Sequence, residues 1–339
     1  MWDPSGPSLA LYQSMWIEDR QKTVGHKVGD VGSLLGAFVL LVVITLSVAC
    51  APPTGGSASS STALANGAAA TTTSAFSSCA TFSISPVLNY NIFVFGDLTQ
   101  PSGEIQGSVA VGGDAYFSDV SIGGELAPDA SRTDLLVGGN LTFPDGAVLE
   151  GNAVYDGTDD LTAAATFFGG ISASTQVALD AQSFSMAQSA VYSLSAALAS
   201  LPAQYPDFPY ASKGVVSLEG TDSLANVYSM SADDLGHIGG LNITAPAGSI
   251  VVINIFGSSP SLSGFATTLA GVDSQHVLFH FPDATSLYIG NITVEGSIIA
   301  PQANVIYSAG QVMGQLIALS LYSQGQFNWE PYLGCLPSL

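Results

Sequence analysis

The sequence predicts a mainly β protein: a β-helix, or β-solenoid, with one long α-helix packed alongside it. Three observations support this fold class. Short apolar runs separated by Gly, Asn and Asp dominate the chain after residue 82, as in a series of short strands. Similar segments recur, since GSIIA at 296–300 returns as GQLIA at 314–318 after 18 residues, which suits one coil of three short strands. A single Ala-rich stretch has helical periodicity.

The N-terminal region predicts membrane targeting. Residues 31–51 carry no charge and reach the ~20 residues that cross a bilayer as a helix. The basic residues before this segment are Arg20, Lys22 and Lys27. This asymmetry places residues 1–30 in the cytoplasm and everything after residue 50 outside. A signal anchor, a cleaved signal peptide and a lipidated Cys50 are all compatible with the segment.

A linker and two cysteines delimit the exterior domain. Residues 52–78 are rich in Ser, Thr, Ala and Gly without periodicity, which predicts a flexible stalk before a folded domain at 79–339. Cys79 and Cys335 bracket that domain, and in an oxidising exterior we expect them to form a disulfide. Closing so long a loop would stabilise the fold by roughly 5 kcal/mol in the chain-entropy account. Two unrelated free thiols are the alternative.

The strands are predicted from short apolar runs bounded by turn residues. The clearest runs are residues 91–96, 107–113, 115–124, 134–143, 249–257 and 276–281. In a solenoid, alternate side chains of each strand point inward and stack on the equivalent residues of the next coil.

Paired glycines predict the corners between strands. VGGDAYF at 111–117 and VGGNLTF at 137–143 repeat the same local pattern at a step of 26 residues. Glycine permits positive φ or close backbone approach at a sharp corner, and we expect Asp114 and Asn140 to cap the turn with side-chain hydrogen bonds. The longer step then represents one coil with an insertion at 123–132.

One helix is predicted at residues 175–201. Apolar residues recur there at steps of three and four and form one face of an amphipathic helix, which Pro202 ends. The residues of this face are Phe184, Ala187, Val191, Leu194, Leu198 and Leu201. Such a face most simply packs on a sheet, with a ligand groove as the alternative.

The charge excludes one class of partner. All but four of the 26 acidic residues follow residue 50, where Arg132 and Lys213 are the only basic residues. A surface of this charge repels phosphate backbones, so we expect no binding of nucleic acid. Solubility in a salty or acidic exterior explains the acidity most simply, and binding of divalent cations is the alternative.

Two long motifs occur in order along the chain: NYNIFVFGDLTQPSGEIQGSVAVGGDAYFSDVSIGG at 89–124 and FPDATSLYIGNITVEGSIIAPQANVIYSAGQVMGQLIALSL at 281–321. They resemble the opening and closing parts of the choice-of-anchor A extracellular domain, over about Phe82 to Pro337. The resemblance implies an ice-binding-like adhesive fold: a right-handed β-helix with a long helix along it, fed by strands from both chain ends. In that family the domain is a surface module carried by different anchors, usually C-terminal, whereas the hydrophobic segment here is N-terminal.

Acidic residues offer a weak metal-site candidate. Asp156, Asp159 and Asp160 in YDGTDDLT have a spacing vaguely like that of a calcium loop, without the bidentate Glu that such loops use. Solvated acids are the simpler interpretation.

The histidines are the other candidate ligands. Among the exterior histidines, His276 and His280 could share a strand face, with Asp283 as a third zinc ligand, but His237 stands alone. We interpret all of these as structural or surface residues. No nucleophile elbow, Cys–His pair or phosphate loop occurs, so we expect neither catalysis nor a cofactor.

Three sequons, at Asn140, Asn242 and Asn291, predict exposed glycosylation sites in an exported chain. Their threonines are Thr142, Thr244 and Thr293, which would have to align in a flat rank if the protein bound ice. Glycans would obstruct such a face, so we place ice binding below adhesion.

The sequence thus predicts a non-enzymatic adhesion or structural module that acts through the flat faces of the solenoid. Its expected partners are cell-surface or matrix components, including glycans, and the membrane through residues 31–51. The alternatives are an ice-binding or carbohydrate-binding protein of the same fold and, less well supported, a hydrolase that uses surface carboxylates.

Overall fold

The protein is described here by a computed structural model. The structure describes residues 85–173, 181–206 and 213–334, which belong to one compact unit, residues 69–339. The predicted tail (1–30), hydrophobic segment (31–51), stalk (52–78), Cys79 and Cys335 lie outside the described residues. No helix within the described ranges is long and apolar enough to cross a membrane.

The N-terminal half of the described chain consists of a short helix and a series of short strands. In chain order these are α1 (Ser85–Leu88), β1 (Ile92–Val94), β2 (Leu98–Gln100), β3 (Gly103–Ile105), β4 (Val109–Val111), β5 (Ala115–Ile122), β6 (Thr133–Val137), β7 (Leu141–Val148), β8 (Asn152–Tyr155), β9 (Asp159–Phe167) and β10 (Ile171–Ala173). The apolar runs predicted between residues 91 and 143 are therefore confirmed as strands.

A long helix, α2 (Ala181–Ala199), connects this half to the C-terminal half. The remaining elements are β11 (Gly214–Glu219), β12 (Ala225–Ser231), α3 (Ala232–Gly236), β13 (Ile238–Thr244), β14 (Ile250–Phe256), β15 (Ser261–Ser263), β16 (Ala266–Ala270), the 3₁₀ turn Ser274–His276, β17 (Val277–His280), β18 (Ser286–Gly290), β19 (Ile292–Val294), β20 (Ser297–Tyr307), β21 (Gly310–Met313), β22 (Leu316–Ser323) and β23 (Gln326–Asn328). The runs at 249–257 and 276–281 contain β14 and β17, as predicted.

The strands wind into a three-sided β-solenoid in which each strand pairs in parallel with the equivalent strand of the next coil. Face A has the spatial order β12, β14, β17, β20, β22, β1, β4, β6, β8, β10. Face B has the order β15, β18, β20, β22, β2, β5, β7, β9. Face C contains β11, β13 and β16, and a second run β19, β21, β23, β3, β5, β7, β9. The longer strands turn a corner and contribute to two faces.

The first and last coils of the chain are neighbours in the middle of the stack. On face A, Ile92 of β1 pairs with Leu316 of β22, and on face C, Phe327 of β23 pairs with Ile105 of β3. The chain therefore starts in the middle, winds to one end through β10, crosses back through α2, and winds from the other end to its starting point. The family resemblance implies that strands from both chain ends contribute to the solenoid, and these strands pair with each other here.

Helix α2 covers face A. Its buried residues Phe184, Val191, Leu194 and Leu198 share one cluster with outward side chains of face A such as Phe93. Ala187 and Leu201 of the predicted apolar face pack at the edge of this cluster. The strands of face A that lie under the helix are thus buried on both sides, which explains their continuous apolar runs, since only a sheet with one solvent-facing side needs polar residues at alternate positions.

A second cluster fills the inside of the solenoid with side chains stacked from coil to coil. Phe117, Phe143 and Phe167 occupy successive coils with ring centroids 5.4 and 5.6 Å apart. Tyr307 and Phe327 form a similar pair at 5.3 Å. Aromatic pairs at these separations stabilise the fold beyond the burial of their area.

The paired glycines lie at stacked corners, as predicted, and close approach explains them. A Cβ at Gly138 would come within 2.7 Å of the Gly112 carbonyl oxygen, and one at Gly139 would collide with Asp114 Oδ1. The predicted insertion is confirmed as well, since residues 123–132 form no strand between β5 and β6. Arg132 at its end forms hydrogen bonds of 2.6 and 3.1 Å to both carboxylate oxygens of the buried Asp134.

Candidate functional site

The outer surface of face B is the candidate functional site, because α2 covers face A and because face B carries a continuous row of outward side chains over eight coils. Residues that occupy equivalent positions in successive coils form rows, which we term ranks. Register places one rank along the middle of face B: Ser261, Tyr288, Ile306, Tyr322, Thr99, Tyr116, Thr142 and Asp160. We call it the central rank.

The central rank points to solvent because its strands alternate inward and outward residues. Tyr116 is 38% exposed between the buried Ala115 and Phe117. Thr99 is partly exposed between the buried Leu98 and Gln100. The resulting face is regular, since each coil contributes one outward side chain at the same height and adjacent parallel strands are about 4.8 Å apart.

One tyrosine of the central rank lies flat on the sheet. A Cβ built on Gly290, two residues along the same strand, would collide with the ring and hydroxyl of Tyr288. The ring therefore occupies the space that a side chain at position 290 would take. The Tyr288 hydroxyl also hydrogen-bonds the Ser308 hydroxyl at 3.0 Å, which fixes the ring in this position.

A ladder of side-chain hydrogen bonds runs beside the central rank, along the corner between faces A and B. Asp97 Oδ1 accepts a hydrogen bond from the Asp114 N–H at 3.0 Å, and Asp114 Oδ1 accepts from the Asn140 N–H at 2.7 Å. Asn140 Oδ1 in turn accepts from the Thr158 N–H at 2.9 Å. We call these four residues the corner ladder. They cap the turn as predicted for Asp114 and Asn140, but each side chain caps the corner of the next coil.

Polar side chains continue the line of the corner ladder into the coils of the C-terminal half. Ser320 directly precedes Leu321, the register partner of Leu98, and its hydroxyl donates to Asn304 Oδ1 at 2.6 Å. The Ser286 hydroxyl donates to the Ser259 hydroxyl at 2.9 Å. Face B therefore presents a rank in which three tyrosines and Ile306 stand among Ser, Thr and Asp residues, flanked by hydroxyl, amide and carboxylate groups. Its strands contain no Lys or Arg, so its charge is negative.

The structure separates the sequon threonines. Thr142 lies on face B, where it pairs with Tyr116 and Asp160, but Thr244 and Thr293 lie on face C. The three threonines form no rank, because their strands belong to different sides of the solenoid. The three sequon asparagines are all exposed, as a glycosylation site requires: Asn140, Asn242 and Asn291.

The candidate calcium residues do not converge. Asp159 accepts a hydrogen bond from the Tyr155 hydroxyl at 2.9 Å, Asp160 lies in the central rank, and Asp156 is exposed at a corner. No group of three His, Cys, Asp or Glu side chains that could hold a metal ion occurs in 85–173, 181–206 or 213–334. Nothing in these segments supports the calcium alternative.

The candidate zinc ligands lie apart. His276 belongs to the 3₁₀ turn before β17 and contacts Asp273 at 2.6 Å, whereas His280 is fully buried under α2. The expectation that the two histidines share a strand face is therefore wrong, because the strand starts only at Val277. Asp283 Oδ1 accepts from the Gly257 N–H instead, and His237 follows α3 with Nδ1 2.6 Å from the Asp233 carbonyl oxygen.

His280 takes part in a buried network that sequence reasoning missed. Its Nε2 lies 2.7 Å from the Ser195 hydroxyl of α2, and its Nδ1 lies 2.6 Å from Asn254 Oδ1 of β14. The Asn254 amide nitrogen donates to the Leu198 carbonyl oxygen at 2.9 Å, so its oxygen faces the imidazole. His280 Nδ1 must therefore carry the proton, while Nε2 accepts from Ser195.

This Ser–His–Asn arrangement resembles the geometry of a catalytic nucleophile and its base. Ser195, Asn254 and His280 are all at least 96% buried between α2 and face A, so a substrate has no access to them. Burial also lowers the pKa of His280 to about 3, so the imidazole stays neutral. The network fastens the helix to the sheet.

A cleft at the β11 and β12 end of the solenoid is the other concave surface of note. Its lining includes Gln204, Tyr205, Val215, Glu219 and Tyr228. The Tyr228 hydroxyl is buried without a hydrogen-bond partner in the described part of the chain, and burial together with Glu219 raises its pKa to about 12. The cleft therefore offers two phenol side chains and one acid, without a nucleophile–base pair among these residues.

Comparisons with solved structures find ice-binding proteins at low similarity. An ice-binding protein from an Antarctic biological consortium is 10% identical over 74% of this chain and 90% of its own, with a TM-score of 0.38. An ice-binding protein with antifreeze activity from an Arctic yeast is 13% identical over 76% and 97%, with a TM-score of 0.33. An ice-binding protein domain from Shewanella frigidimarina is 14% identical over 74% and 95%, with a TM-score of 0.31. These similarities are too distant to assign a function.

The comparison with curated proteins finds no match. The sequence profile of the ice-binding-like adhesive domain matches residues 83–329, which is well over half of the chain and includes every strand described above. The mainly parallel β-solenoid with one long helix agrees with this match. The chain therefore belongs to the family of ice-binding-like adhesive domains.

Proposed function

We propose that the protein is a non-enzymatic adhesion module that attaches to an external surface through face B. The observation that carries this proposal is the central rank, which presents one outward side chain per coil on a face that α2 leaves open. A regular, open face suits contact with an extended surface better than capture of a small molecule in a concave pocket. Domains of this family are extracellular or lie at the cell surface.

Adhesion of cells that display the full-length chain tests this proposal. We expect the double variant Thr99→Lys and Thr142→Lys, which places two long cations in the central rank, to lose most of its resistance to detachment under flow. The matched control changes Thr268 and Thr293 of face C to Lys, with the same change in charge on exposed positions. Equal loss in both variants, or no loss in the face B variant, would contradict the proposal.

The same proteins test the alternative of ice binding. Three large side chains of two kinds, Tyr288, Ile306 and Tyr322, stand in the central rank instead of a uniform row of threonines. We therefore expect no inhibition of ice recrystallisation by the full-length chain. Inhibition that the face B variant abolishes would replace adhesion by ice binding as the function of this face.

The proposal includes the predicted attachment to the cell. Residues 31–51 would anchor the chain, residues 52–78 would hold the domain away from the membrane, and the Cys79–Cys335 disulfide would join the two ends of the domain. N-terminal sequencing of the surface protein tests whether residues 1–50 are retained. Mass mapping without reduction tests the disulfide, and two free thiols at these positions would exclude it.

A further inference from the structure

Three tyrosines alternate with smaller side chains over five consecutive coils of the central rank. Tyr288 is followed in register by Ile306, Tyr322, Thr99 and Tyr116, so a tyrosine stands on every second coil. With adjacent parallel strands about 4.8 Å apart, successive tyrosines are about 9.6 Å apart and the three together span about 19 Å. The smaller Ile306 and Thr99 occupy the coils between them.

At least one of these rings presents its face and not its edge. Tyr288 lies over Gly290, where the missing side chain leaves room for the ring against the backbone. One face of the ring therefore contacts the sheet, and the opposite face is turned away from it. Flat aromatic rings in this orientation are suited to stacking on the C–H faces of sugar rings, which are apolar and of similar size.

The groups beside the tyrosines match the hydroxyl groups at the edge of a sugar ring. Hydroxyl and amide side chains can donate and accept hydrogen bonds, and Ser286, Asn304 and Ser320 supply both along one side of the rank. The carboxylates of Asp97 and Asp114 follow on the same side. They favour hydroxyl donors and repel sulfated or acidic chains, so the charge selects an uncharged partner.

We propose that face B binds an extended, uncharged β-1,4-linked polysaccharide that lies along the central rank with one disaccharide repeat per tyrosine. In such a chain every second sugar has the same orientation, and the two-sugar repeat is close in length to two coils of this solenoid. Chains with α-1,4 or β-1,3 linkages are curved, so such a chain can stack on only one tyrosine of a straight row. This inference rests on the proposed adhesive function of face B and names the surface that it contacts.

Calorimetric titration of the purified full-length chain with cello-oligosaccharides tests the inference. We expect affinity to increase from cellobiose to cellohexaose as a second and a third ring become occupied, with maltohexaose and laminarihexaose at least tenfold weaker. Replacing Tyr116 or Tyr322 by Ala should weaken cellohexaose binding about tenfold, the loss of one stacked ring. Tyr116→Phe should keep the wild-type affinity, because it retains the ring.

Tyr192→Ala is the matched control. Tyr192 is 39% exposed, which equals the exposure of Tyr116 within a percent, but it lies on α2. We expect it to bind cellohexaose like the wild type. Equal affinity for all three hexasaccharides, no binding of any of them, or equal loss in Tyr192→Ala and Tyr116→Ala would overturn the inference.

The two proposals fail in different ways. If the Lys variant of face B loses adhesion but no β-1,4-linked chain binds, the adhesive function stands and the polysaccharide is wrong. If cellohexaose binds through Tyr116 but adhesion is unaffected by the Lys variant, the protein is a glycan-binding protein without an adhesive role.

Discussion

At the scale of single residues, the polar side chains of this solenoid act between coils. Asp114 and Asn140 each accept a hydrogen bond from the backbone of the following corner, so a short polar side chain fixes the distance between two coils. His280 acts over a longer range, since it joins Ser195 of the helix to Asn254 of the sheet. Because burial lowers the pKa of His280 to about 3, this contact depends on pH.

We expect His280 to make the folded state less stable in acid. The imidazole of the unfolded chain binds a proton below about pH 6.5, whereas that of the folded protein does so only near pH 3. The free energy of unfolding therefore falls as the pH decreases from about 6.5 to about 3, by at most about 1.4 kcal/mol per pH unit. Above about pH 6.5 the imidazole is neutral in both states, so the folded protein keeps the full contribution of His280 to its stability.

Denaturant unfolding of the wild type and of His280→Gln between pH 7 and pH 4 measures this effect. Many carboxylates also titrate in this range, so the informative quantity is the difference between the two proteins. The wild type should be the more stable at pH 7 and should lose this advantage at lower pH. If the free energies of unfolding of the two proteins depend on pH in the same way, the pKa of His280 does not differ between the folded and unfolded states.

At the scale of elements, helix α2 is the part that makes an N-terminal and a C-terminal half into one fold. Its 19 residues extend about 28 Å, which is about six coils at the spacing of parallel strands. Val191, Leu194 and Leu198 are fully buried against face A. The helix therefore stabilises strands from both halves and leaves faces B and C open.

Shortening a side chain in the buried face of α2 should destabilise the protein. Leu194→Ala removes a fully buried side chain from the contact with face A, and we expect it to lower the free energy of unfolding by about 3 kcal/mol. Met186→Ala on the same helix, where the side chain is largely exposed, should change it by less than about 0.5 kcal/mol. Guanidinium unfolding measures both, and equal effects would mean that the helix is not docked as described.

At the scale of the whole molecule, the fold closes where its first and last coils meet. Asn91 is fully buried at this seam, and its amide nitrogen donates to the carbonyl oxygens of Gly314 at 2.7 Å and Asn328 at 3.1 Å. Its side-chain oxygen accepts from the Gly107 N–H at 3.0 Å. Gln315 adds hydrogen bonds to backbone carbonyls just before β1. The first and last coils are not consecutive in the chain, so hydrogen bonds from these buried amide side chains hold them together.

We expect Asn91→Ala to open the seam. It leaves three buried backbone groups without their partner, at a cost of about 3 kcal/mol. Hydrogen exchange should accelerate in β1 and β22, which pair across the seam, and remain slow in β7 and β9. Gln311→Ala, which removes an exposed amide from β21, is the control. Uniform acceleration in all strands would show that the seam has no separate stability.

The sequence by itself determined the strands in six apolar runs, the contact face of the long helix and the glycine corners. Strand positions follow from short apolar runs, the α2 contact face from steps of three and four, and the corners from paired glycines, because each of these patterns depends on neighbours within a few residues. The membership of the family follows from two long motifs at 89–124 and 281–321. All of these features can be predicted without knowing which coils are adjacent in the folded protein.

Only the tertiary structure decided which residues share a surface. Thr99 and Tyr322 are neighbours in the central rank although they stand near opposite ends of the domain, and Ser195 and His280 meet across 85 residues. The threonines of the three sequons, which share a local motif, are distributed over two faces. The physical reason is that corners and insertions vary in length, so register between coils is set by packing and by the return of the chain through α2.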